Sequence, residues 1–133
     1  MSSQRLTGLE LLVLIVCLLG GALLTVIGIR YFLVPESAAY TFGVADRPTG
    51  YELHYIIALR NVWLGLLAMG LAALRQWRAL ALWFGIGTVV CLADAAIAVT
   101  SSGRPAQAAF HIGSGIACVA LTSVLLRIDR RDT

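Results

Sequence analysis

Thr88-Val89-Val90-Cys91-Leu92-Ala93-Asp94-Ala95-Ala96-Ile97-Ala98-Val99 is an apolar run with one carboxylate, Asp94, well inside it. A lone acid in a water-poor setting is expensive unless something satisfies it. Its partners must come from elsewhere in the chain, which raises two questions: what kind of segment this is, and which polar residues reach its depth.

Composition answers the first. Of 133 residues, 59% are hydrophobic and only 13% charged, against roughly 25% charged in a soluble domain. The mean hydropathy is +0.87. The run is therefore a membrane span, and the length suits one compact integral membrane domain over residues 1–133. The net charge is +3, and all ten basic residues are Arg. Topology and anionic lipid account for a basic rim, so no nucleic-acid partner is expected. There is no phosphate loop, metal constellation or haem motif, so no metal and no cofactor is expected. The cysteines, Cys17, Cys91 and Cys118, each lie in an apolar run without paired spacing. They read as small buried hydrophobes.

Working outward, the pattern predicts four spans, about 7–30, 52–74, 79–99 and 105–126. Thr7 followed by Glu10 fits a capping box, which makes Glu10 a helix cap at the membrane surface. Arg5 before an apolar run resembles a signal peptide, but the run continues through Ile29 without an A-x-A-like site. Val16 before Cys17 also poorly fits a lipoprotein cleavage box, so the first helix is read as retained. Pro35 to Gly43 reads as a short interfacial helix, with Pro at its first position and Gly just past its end. A turn-rich loop follows at 45–50, and Thr49 with Glu52 repeats the capping-box pattern. Arg75-Gln76-Trp77-Arg78 is a tight basic connector.

The fold class is thus all-α: an up-down-up-down four-helix transmembrane bundle with a short interfacial helix between spans 1 and 2. One side carries Arg5, Arg75, Arg78, Arg127, Arg130 and Arg131, and the other only Arg30, Arg47 and Arg104. The positive-inside rule puts both termini in the cytoplasm of a plasma or inner membrane. Gly20/Gly21, Gly65, Gly85/Gly87 and Gly113/Gly115 would let helices approach closely, within the chain or in an oligomer.

Depth counting answers the second question. Arg60 and Asp94 lie about five residues below the outer ends of their spans, and His111 about six residues after Pro105. All three fall roughly 7–9 Å below the same boundary. Membrane charges usually face inward and pair. Arg60 can neutralise Asp94, and His111 can donate to it or carry a proton. Asn61, Ser114, Tyr31 and Tyr55 are further hydrogen-bond candidates, Arg30 lies near the same level, and Trp63 could line the site. No second ionisable layer lies below, which disfavours an ion or proton path.

Gly28-Ile29-Arg30-Tyr31-Phe32-Leu33-Val34-Pro35, Phe42-Gly43, Leu59-Arg60-Asn61 with Gly65, Ala93-Asp94-Ala95, and His111 with Gly113 together resemble a family of small four-span membrane proteins of bacteria and fungi classed as a domain of unknown function. The resemblance covers about residues 15–126. It implies the four-span fold and the trio Arg60, Asp94 and His111, and no established activity. The family often has Asp where this chain has Asn61, which weakens any scheme needing two carboxylates.

Two expectations follow. In one, the trio is a site for a small lipid-soluble ligand under a lid at 31–49. Asp94 and His111 would be an acid/base pair and Arg60 an orienting cation, suited to hydrolysis or isomerisation. In the other, the trio is a helix–helix clasp in a membrane scaffold or complex subunit.

Overall fold

The computed structural model describes residues 7–44, 50–102 and 105–132. Residues 45–49 of the turn expected over 45–50, and Arg5 and Arg104, lie outside these. Five helices follow in order: α1 Gly8–Leu33, α2 Pro35–Phe42, α3 Glu52–Ala73, α4 Trp77–Ser102 and α5 Pro105–Asp132. α1, α3, α4 and α5 are each long and apolar enough to cross a membrane. Most of their large apolar side chains point outward, as in Leu19 (64% exposed) and Val89 (66%). That is the pattern of helices solvated by lipid.

The ends form where the local chemistry asks. Thr7 caps α1 as one half of a capping box: its amide donates to Glu10 Oε2 at 2.8 Å, and its hydroxyl accepts from the Glu10 amide at 3.3 Å. Pro35 opens α2, and Gly43 closes it at φ 115°, a left-handed conformation open to glycine. The second expected capping box rests on Thr49, outside the described residues; the N-cap of α3 is Tyr51, which puts Glu52 at the first helical position. The α3–α4 connector turns through Arg75 at φ 55°. There the amide of Gln76 donates to the Leu71 carbonyl and that of Arg75 to Ala72. α5 runs past the expected end at 126, carrying Arg127, Arg130 and Arg131 on its last turns.

The four spans are two tight antiparallel pairs, α1 with α3 and α4 with α5, with few contacts between the pairs. Two features join them. At the end carrying both termini, Val13, Cys17, Ala72, Trp77, Leu80, Ala81, Phe84, Leu125 and Ile128 form one apolar core drawn from all four spans. At the opposite end, α2 lies across the tops of the helices. Ala38 and Ala39 pack with Tyr31 and Ala58, while Gly43 sits against Ala98 of α4 and Gln107 of α5.

The α1/α3 pair is the closer. A Cβ on Gly21 would stand 2.8 Å from the Gly65 carbonyl oxygen, and one on Gly28 2.7 Å from that of Ala58. A Cβ on Gly65 would meet the Gly21 carbonyl and the Thr25 hydroxyl. Backbone rests on backbone here, as small residues permit. Gly21 and Gly65 therefore act as the sequence suggested, and Gly28 joins them. Gly20 and Gly113 instead face open space.

Candidate functional site

Asp94 sits half-buried on α4, between the terminal core and the α2 cover. The α4/α5 register brings His111 level with it: Gly87 neighbours Cys118, Cys91 neighbours Gly115, and Ala98 and Gln107 meet over Gly43. Asp94 lies within electrostatic range of His111 and of Arg60 on α3. Tyr31 of α1 is buried and lies within range of Asp94, Arg60 and Arg30. Side chains from all four spans thus lie within electrostatic range of one another below α2.

The pairing differs from expectation. Among the described residues, Asp94 makes no direct hydrogen bond or ion pair with Arg60 or His111. His111, 8% exposed, directs Nε2 to the carbonyl oxygen of Phe42 at 3.1 Å. Its ring also packs on Phe42, with centroids 4.5 Å apart. The cause is Gly43: without a side chain, the end of α2 settles directly on α4 and α5. Its last carbonyls, which lack helical partners, then need donors. His111 Nε2–H supplies one. With that nitrogen donating, the acid/base capacity of the layer rests on the Asp94 carboxylate and on His111 Nδ1.

Other candidates divide by helix face. Ala58, Val62 and Gly65 define the α1-facing side of α3. Arg60 is about 200° round from Ala58 at 3.6 residues per turn, bordering the side where Ile57, Leu64 and Leu71 are half-buried, and is itself exposed. Asn61 is half-buried. Trp63, about 200° from Gly65, stands on the outer surface at 52% exposure. Tyr55 is also exposed and stacks on Phe32, with centroids 5.9 Å apart. Ser114 donates to the Phe110 carbonyl of its own helix at 2.9 Å. Arg30 donates to the Thr41 hydroxyl of α2 at 3.4 Å. Trp63, Tyr55 and Ser114 thus have other surroundings, and Arg30 serves the cover.

Several residues here were not among those expected at the site. Tyr51 donates its hydroxyl to Glu36 at 2.6 Å, tying α3 to α2. With Arg30–Thr41 and His111–Phe42, α2 is held to three spans by hydrogen bonds. Among the described residues, the buried side-chain oxygen of Gln107, one turn before His111 on the same face, has no hydrogen-bond partner, nor has the buried Nδ1 of His54. The four-residue spacing from His111 was the signal for Gln107. Cys91 and Cys118 face the α4/α5 interface one turn apart: a Cβ on Gly115 would stand 3.4 Å from Cys91 Cβ, and one on Gly87 3.8 Å from Cys118 Sγ. Among the described residues, no group of three or more His, Cys, Asp or Glu is arranged to hold a metal.

No curated protein and no solved structure matches the chain. A family model does, over residues 21–125, which takes in α2 and every residue of the layer described above. The chain belongs to the family defined by the domain of unknown function DUF4267.

Proposed function

We propose that this multi-pass membrane protein binds a small lipid-soluble molecule with a hydrogen-bonding head, held beside Asp94 between the two helix pairs and covered by α2. One observation carries the reading: Asp94 is half-buried within a membrane span and has no direct partner in Arg60 or His111. A carboxylate so placed is costly to leave unsatisfied, and a head group that donates to it removes the cost. The unpartnered Gln107 oxygen one turn above adds a second acceptor near the same face. In this reading Asp94 is the proton acceptor and Arg60 the cation that orients it or meets a developing anion. The arginine bias places both termini in the cytoplasm, with α2 on the far side of the membrane.

A specific observation favours a clasp for one member of the trio. His111 spends Nε2 on the Phe42 carbonyl, so its first role is to hold the cover. The protein would be purified in mild detergent, wild type beside Asp94→Asn, and the co-purifying small molecules identified by mass spectrometry. A species present in wild type and absent from an equally stable Asp94→Asn supports the site. Identical lipids in both, with a marked loss of stability in the variant, replaces it with a purely structural clasp.

A further inference from the structure

Arg60 sits within the lipid-facing stripe of α3. Its neighbours seven and four residues before it and three and seven after it, Leu53, Ile56, Trp63 and Leu67, are all exposed, and so is Arg60 itself. Those spacings share one helix face. Ala58 and Gly65, which meet α1, lie on the far side of the helix. α3 is long and apolar enough to cross the membrane. Arg60 is eight residues into it from Glu52, about 12 Å along the axis. A cation at that depth needs an acceptor. Among the described residues, none forms a hydrogen bond or ion pair with Arg60; Asp94 is within electrostatic range of it and no closer contact is made. The guanidinium fork of five N–H donors is thus left for another acceptor. What covers an exposed side chain of a membrane span is lipid. The lipid group that complements a guanidinium is phosphate, which accepts two parallel N–H bonds. Helical side chains also lean toward the helix N-terminus. For α3 that is the end tied to α2, the surface nearer to Arg60. The arginine stem can therefore lie along Ile56 with its head raised toward the phosphate layer.

We propose that Arg60 is the phosphate-binding residue of a phospholipid site on the lipid-facing side of α3. It holds one lipid of the leaflet on the α2 side, with the head drawn below the general phosphate level. Trp63, one turn deeper on the same face, packs against the glycerol end of that lipid's chains, as interfacial aromatics do. The inference goes beyond the Asp94 reading and does not rest on it. The phosphate meets Arg60 from the bilayer, whereas the Asp94 ligand lies between the helix pairs.

The test titrates the purified full chain in mild detergent with phosphatidylglycerol, and separately with a galactosyl diacylglycerol that carries the same chains and no phosphate. Native mass spectrometry counts the bound lipids. Arg60→Gln is expected to bind one phosphatidylglycerol about tenfold more weakly than wild type, the loss of a charge-assisted pair of bonds. Arg60→Lys, which keeps the charge without the fork, should fall between them. The galactolipid should bind wild type and Arg60→Gln alike. Equal phosphatidylglycerol binding in wild type and Arg60→Gln overturns the site. Equal weakening of both lipids overturns the phosphate assignment, because the variant has then lost an apolar surface. A dimer that forms in wild type and not in Arg60→Gln, with lipid binding unchanged, gives the face to a second copy of the chain and also overturns it. A second measurement does not need the neutral variant to fold. In phosphatidylglycerol bilayers, solid-state NMR of the arginine-labelled wild-type chain should show the Arg60 Nη signal, identified by its loss in Arg60→Lys, dephased by lipid phosphorus. An Arg60 signal untouched by phosphorus overturns the proposal.

Discussion

The two helix pairs solve the same problem differently. Lipid tails are as apolar as the helices, so association must come from packing and polar contacts. α1 and α3 use backbone contact: Gly21, Gly28 and Gly65 leave no room for a Cβ. α4 and α5 keep more distance. The positions facing Gly85, Gly87 and Gly115 are 3.4 to 3.8 Å from a notional Cβ, which is ordinary contact. The space between them holds polar side chains: Thr122 reaching the Ala81 carbonyl at 3.4 Å, the Cys91/Cys118 thiols, and Asp94 level with His111. The difference teaches a division of labour. One pair is closed by backbone contact, and the looser pair leaves room for polar side chains.

The strongest way to break that comparison is to force the closed pair apart. Gly65→Val would drive two methyl groups into the Gly21 carbonyl and Thr25. A loss of about 3 kcal/mol or more is expected, at the upper end for overpacking. Thermal unfolding in detergent measures it. An unchanged midpoint would mean that the helices slide apart freely and that the pair is not rigid.

Next in size is the link between the looser pair and the cover. His111→Phe keeps the ring packing on Phe42 and removes the hydrogen bond to its carbonyl. The expected cost is about 1–2 kcal/mol, the worth of one buried bond whose acceptor is left unpaired. Hydrogen exchange should localise it. The Gly43 and Val44 amides, bonded to Ala39, should exchange faster, while those around Gly21 and Gly65 stay as in wild type. Uniform acceleration would show that α2 and the closed pair unfold as one unit.

Smaller still is the effect of Asp94→Asn on the stability of the unliganded fold. Without a direct partner in Arg60 or His111, Asp94 loses little on becoming neutral, and a change below about 1 kcal/mol is expected. Loss of about 3 kcal/mol or more, the signature of a broken buried ion pair, would move Asp94 from the site to the framework.

Much of this was legible in the sequence, for physical reasons. Membrane spans announce themselves by length and hydropathy, and Thr7/Glu10, Pro35 and Gly43 announce helix ends, because those signals are local. Depth was legible in part: a fixed rise per residue puts Asp94 and His111 at one level, as the α4/α5 register does. What depth cannot give is azimuth. Trp63 and Tyr55 lie within about two turns of Arg60 but face outward, because helix rotation is fixed by Gly65 and Gly21 meeting across the pair. Nor does depth give partners. His111 was expected to serve Asp94, and its Nε2–H donates to the Phe42 carbonyl of α2 instead, where Gly43 lets the end of the helix lie close to α4 and α5. Cys91 and Cys118 have no motif spacing, and only the antiparallel register puts both on the α4/α5 interface.

The smallest predicted effect discriminates best between the two pairs. Gly87→Ala adds the same methyl group to the looser pair that Gly65→Ala adds to the closed one. At Gly87 the new carbon would lie 3.8 Å from Cys118 Sγ, with nothing else close. Alanine is also the better helix former, by about 1 kcal/mol in a helix interior. The expected result is a stability equal to wild type or higher by up to about 1 kcal/mol, against a loss of about 1–3 kcal/mol for Gly65→Ala. Opposite signs from one methyl group would locate the rigidity in α1/α3. Equal losses would show that α4 and α5 are as closely fitted as their neighbours, and the looser pair would then owe its polar residues to something other than space.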